Sequence, residues 1–73
     1  MDKQEFEEKW NKIKDKQKGS KEFINVLCKN NIGFVTEGYC IVGGQVYFYM
    51  PVDSYKIVSG FVDLSEIVKV KEV

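Results

Sequence analysis

At 73 residues the chain has room for a single domain, residues 1–73, with a small core. Its eleven basic residues are all Lys, they balance eleven acids, and there is no His. These absences exclude His-based catalysis, imidazole metal ligation and the bidentate Arg fork for phosphates and guanine edges.

A hydrophobic fraction of 44% with 30% charged residues separates the chain from disordered and fibrous sequences. The opening Met1, Asp2, Lys3, Gln4 and Glu5 lack the apolar stretch of a secretory signal. The longest apolar run, Val46 to Val52, is too short to span a bilayer. The expectation is therefore a cytoplasmic protein with no membrane partner. Cys28 and Cys40 do not have a metal-type or redox-type spacing, and in a reducing compartment they read as buried free thiols.

In chain order, the first element is a helix from Lys3 to Lys18. Acids gather at its start (Asp2, Glu5, Glu7, Glu8) and lysines at its end (Lys9, Lys12, Lys14, Lys16, Lys18), the polarity that the helix macrodipole favours. Phe6, Trp10 and Ile13 fall on one stripe, a narrow apolar face that must dock on something. Gly19 interrupts the pattern and Ser20 is placed to cap a second helix. Phe23, Ile24, Leu27 and Cys28 make that helix's stripe, and Asn30, Asn31 and Gly33 are stop signals. The helical part is thus expected to fill residues 3–31, as two helices or as one long helix with a weak joint.

After Ile32 the chemistry changes to that of strands: nine of the ten Val lie beyond residue 34, with all four Tyr. Phe34 to Val42 and Gln45 to Met50 flank Gly43-Gly44, a strong two-residue hairpin signal that sets Val42 opposite Gln45. Pro51 is expected to end the second strand, and Val52, Asp53 and Ser54 to form a loop. A third strand, Tyr55 to Val62, carries a break or bulge at Ser59-Gly60. The β-meander is assigned to residues 33–63. The tail, 64–73, is open between one helical turn capped by Asp63 and a short last strand through Val68 and Val70. The fold class is α+β: an amino-terminal helical segment packed on a three-stranded antiparallel β-meander.

The hairpin register sorts its side chains into two faces. Val35, Tyr39, Ile41, Val46, Phe48 and Met50 share one, while Phe34, Thr36, Cys40, Val42, Tyr47 and Tyr49 share the other. Both are apolar, yet a short meander ordinarily wets one face, and the chain has only one helical layer to offer. Covering one face with the helices leaves Val42, Tyr47 and Tyr49 for a second copy, which makes these the expected homodimer contact.

Chemistry-bearing constellations are scarce. The acids Asp53, Asp63 and Glu66 are turn or cap residues, and Gly43-Gly44 lacks the helix that a phosphate-cradling loop needs. No catalytic, cofactor-binding or metal-ligating residue is nominated, and no enzyme activity is expected. The lysines of the first helix, with Trp10 near them, raise weak non-specific nucleic-acid binding as the alternative, with Lys14 and Lys18 as candidate contacts. Steps of two residues, however, scatter such lysines around a helix.

In layout, the Lys-rich, Arg-free opening and the stretch from Ile32 through Tyr39, Cys40, Ile41, Val42, Gly43 and Gly44 to Tyr47, Phe48 and Tyr49 resemble the small YopT family of Bacillus prophage origin. The bacterial effector protease of the same name is unrelated and is excluded by the missing His. The resemblance implies a homodimer, each subunit with one helix and three strands, and no assigned activity. The function expected is that of a small non-enzymatic interaction protein that pairs with itself and with protein partners of unknown identity.

Overall fold

The computed structural model describes residues 1–17, 23–52 and 55–73. One helix, α1 (Lys3–Gln17), precedes six strands: β1 (Ile24–Cys28), β2 (Gly33–Thr36), β3 (Gly38–Val42), β4 (Gln45–Val52), β5 (Tyr55–Asp63) and β6 (Ile67–Glu72). A 3-10 turn, Leu64–Glu66, joins the last two. The strands form two three-stranded antiparallel sheets, ordered β2-β1-β6 and β3-β4-β5.

The helix follows from its sequence. The Asp2 carboxylate accepts the Glu5 backbone N–H at 2.8 Å and caps the first turn, and Lys9 pairs with Glu5 one turn on. Phe6, Trp10 and Ile13 are buried. The amino group of Met1 donates to the carbonyls of Leu64 and Ile67, tying the start of α1 to the 3-10 turn and β6.

The expected second helix does not form: residues 24–28 are β1, and both the two-helix and the long-helix readings of 3–31 are overturned. The apolar residues Ile24, Val26 and Cys28 also alternate, and so short a run fits either period. Position decides. β1 is the central strand of its sheet, and Ile24, Val26 and Cys28 all turn to the core while β2 and β6 satisfy its backbone on both sides. The proposed joint at Gly19 and Ser20, and Lys18 with it, lie outside the described residues, as do the loop residues Asp53 and Ser54.

The stretch expected as one strand, Phe34 to Val42, is two. The chain kinks at Thr36-Glu37-Gly38, so that β2 pairs with β1 and β3 with β4, and the two sheets are joined through this bend. Thr36 is fully buried there, its hydroxyl 2.8 Å from the carbonyl oxygens of both Gly38 and Tyr49. The Glu37 N–H also donates to the Tyr49 carbonyl. The kink shifts the alternation by one, correcting the expected faces: Phe34 and Thr36 point inward with Tyr39 and Ile41, whereas Val35 is exposed.

The hairpin is as read. Gly43 and Gly44 both have positive φ, 58° and 84°, as a tight turn of this type requires, and Val42 pairs with Gln45. Pro51 does not end its strand; β4 continues to Val52. β3 has already stopped, at Gly38 opposite Tyr49, so the N–H that proline lacks is not required by that neighbour. The bulge at Ser59-Gly60 is present as a register shift, with Phe48 opposite Gly60 and Tyr49 opposite Val58. The tail is both alternatives in succession, turn then strand; Asp63 occupies the capping position without a side-chain capping bond.

The inner faces of both sheets and the α1 stripe enclose one core of Phe6, Trp10, Ile24, Val26, Val46 and Phe48, closed by Ile67 and Val70 of β6. The Phe34 ring stacks on Phe48 at 4.8 Å and lies against Gly60, where an added Cβ would sit 2.5 Å from the ring. No helix of the described residues is long and apolar enough to cross a membrane.

Candidate interaction surface

Once Tyr39, Ile41, Val46 and Phe48 turn to the core, pairing register dictates what the β3-β4-β5 sheet shows outside. Residues directly opposite share a face, so the outer surface is built in rows. Val42, Gln45 and Asp63 form one; Cys40, Tyr47 and Phe61 the next; then Gly38, Tyr49 and Val58; and last Pro51 with Lys56. Val42 and Phe61 are each 59% exposed and Val58 is 50% exposed, with Tyr47 and Tyr49 half-buried between them.

These side chains hold one another in place. The Tyr47 ring stacks on Phe61 at 5.5 Å, and its hydroxyl donates to the Gln45 side chain at 3.3 Å. The Tyr49 phenol is pushed above its ordinary pKa, chiefly by its hydrogen bond with the Cys40 thiol and further by partial desolvation. Within these rows the charged residues are Asp63, in the first, and Lys56, in the last, with Glu37 beside Tyr49 and Lys56 at the margin.

The sequence-nominated residues Val42, Tyr47 and Tyr49 therefore share this face. Val58 and Phe61 belong beside them and were missed. Simple alternation puts 58 and 61 on opposite faces, but the extra residue at Ser59 brings them to the same one. The Ser59-Gly60 pair signals the bulge in the sequence, and the bulge reverses the facing that simple alternation gives beyond it.

Of the candidate nucleic-acid contacts, Lys14 lies with its ammonium 5.7 Å from the centre of the Trp10 ring, a cation–π arrangement, and Lys18 is outside the described residues. Cys28 is buried on β1 and Cys40 half-buried on β3, both as free thiols. Burial, helped by the charge of Glu66, holds the Cys28 thiol above its usual pKa and away from thiolate chemistry.

Two concavities lie among the described residues. One of about 110 Å³ lies between Glu37, Tyr49 and Lys56, and one of about 160 Å³ between Cys28, Phe34 and Phe61. Both fall below the roughly 300 Å³ at which small-molecule sites begin. Among the described residues no cluster of His, Cys, Asp or Glu could hold a metal ion. Comparison with known protein families, with curated proteins and with solved structures gives no match.

Proposed function

We propose that this chain is a small non-enzymatic interaction module that associates with a second copy of itself through the outer side of the β3-β4-β5 sheet. The observation that carries this reading is the continuity of Val42, Tyr47, Tyr49, Val58 and Phe61 on one surface that α1 does not reach. Scattered exposed apolar residues are ordinary on any protein. Five on adjacent rows of one sheet, three of them aromatic and with charge at the margins, have the make-up of an interface centre. A chain of this size also gains a larger core by pairing, and the resemblance to the YopT family implies the same assembly.

Analytical ultracentrifugation across micromolar concentrations tests the reading, together with melting curves at several dilutions. A dimer is expected, with a melting temperature that falls on dilution. Tyr47→Asp, which places a carboxylate in the middle of the patch and removes the stack on Phe61, is expected to give a monomer that melts earlier. A wild-type monomer with a melting temperature unaffected by dilution overturns the proposal.

A further inference from the structure

The same sheet points to how two copies meet, an inference that rests on the self-association just proposed. Among the described residues β5 pairs with β4 and with no other strand, so its far edge is open over Tyr55–Asp63. Open edges are usually shortened, covered or guarded with charge, because they template pairing with another chain. This edge is long and carries Tyr55, Ile57, Val58 and Phe61, each at least half exposed. We infer that β5 pairs antiparallel with β5 of a second copy about a two-fold axis through Ser59 and Gly60, with Lys56 opposite Asp63 of that copy.

Three features select this register. First, the bulge gives β5 an internal symmetry of facing. Lys56, Val58, Phe61 and Asp63 look outward, and Ile57, Gly60 and Val62 look toward the core side. In antiparallel pairing, opposed residues must share a face. Setting Lys56 against Asp63, Ile57 against Val62 and Val58 against Phe61 meets that condition at each of these pairs flanking the bulge, which an unbulged strand in the same register would fail. Second, the charges close on themselves: the two-fold makes two Lys56–Asp63 pairs, and neither residue has an ion-pair partner among the described residues. Third, the pairing joins the two outer surfaces. Gly38, Tyr49 and Val58 of one copy run directly into Phe61, Tyr47 and Cys40 of the other, so the aromatic rows become continuous across a six-stranded sheet.

Of the other edge strands, β2, β3 and β6, the one at the far end of the chain, β6, does not offer this. Lys69 and Lys71 are its outward residues, opposite Leu27 and Asn25. A two-fold pairing of β6 with itself centred on Lys69, Val70 or Lys71 sets lysine against lysine, which is destabilising.

Charge exchange tests the register. Lys56 and Asp63 are both exposed, so Lys56→Asp and Asp63→Lys are expected to keep the fold, checked by circular dichroism. Each alone places like charges at two symmetric positions and is expected to weaken self-association roughly tenfold. The double variant is expected to recover it. An equimolar mixture of the two single variants is expected to form a mixed dimer, because each then presents what the other lacks. If the wild type is a dimer and the single variants dimerise as tightly, or the mixture fails to recover, the register is wrong while self-association stands. Rings or filaments larger than a dimer point instead to β5 meeting a different edge strand of the next copy and overturn the two-fold. A wild type that stays monomeric removes the underlying reading itself.

Discussion

Tyr39 ties helix to sheet by three contacts. Its ring meets Phe6 and Trp10 edge-on at 4.9 and 4.8 Å, and its hydroxyl donates to the Glu7 carboxylate at 3.1 Å. Burial, then that hydrogen bond, then the Glu7 charge push its pKa up to about 12. The folded protein therefore keeps the phenolic proton to higher pH than the unfolded chain does. The associated stabilisation is complete below the unfolded value of about 10 and is lost as pH rises through the folded value. Ultraviolet titration should show late-ionising phenols, Tyr39 and Tyr49, and Tyr39→Phe should remove one of them and flatten the alkaline fall in stability. A tyrosine titration with no late component, or one unchanged in Tyr39→Phe, contradicts the assignment.

Among the elements, β5 shows how one residue without a side chain sets a strand's path. Gly60 sits opposite Phe48 and under the Phe34 ring, and the stack of Phe34 on Phe48 leaves that ring little room to retreat. Gly60→Ala should cost about 1 to 3 kcal/mol through overpacking, measured by urea denaturation. Phe34→Leu in the same chain should recover part of it, since the atoms that clash are removed. Equal stability of Gly60→Ala and wild type would mean that the ring moves freely. β1 carries the complementary lesson. Its five residues satisfy a helical stripe and a strand alternation alike, and what separates the two is the presence of β2 and β6 on either side, partners remote in sequence.

For the whole molecule, the competing proposal of nucleic-acid binding makes a claim about salt. A chain using Lys14 and Lys18 against phosphates should lose affinity steeply as salt rises, with a slope set by the phosphates neutralised. Fluorescence anisotropy with a single-stranded oligonucleotide is expected to show only non-specific affinity, of order 10⁻⁴ to 10⁻⁶ M at physiological salt. Tighter binding, abolished by Lys14→Glu with Lys18→Glu, would promote that alternative over self-association. The chain's zero net charge and the placement of Lys14 over Trp10 are the grounds for ranking it second.

Sequence alone determined the features whose causes lie within a few residues. The first helix follows from its stripe and charge polarity, the hairpin from two glycines able to take positive φ, and the bulge from Ser59-Gly60. The hairpin register followed in turn, and with it the placing of Val42, Tyr47 and Tyr49 on the face away from the helix. Tertiary structure decided what depends on distant partners. It made residues 24–28 a strand because β6 returns from the far end of the chain to pair with them. It divided 33–42 at Thr36 because the core is closed by two sheets, and a strand serving both must bend. It set Val58 and Phe61 on the same outer face as Tyr47 and Tyr49 because the bulge reverses their facing relative to one another. Local propensity cannot register such choices, since their free energy comes from burial and pairing with residues that the sequence places tens of positions away.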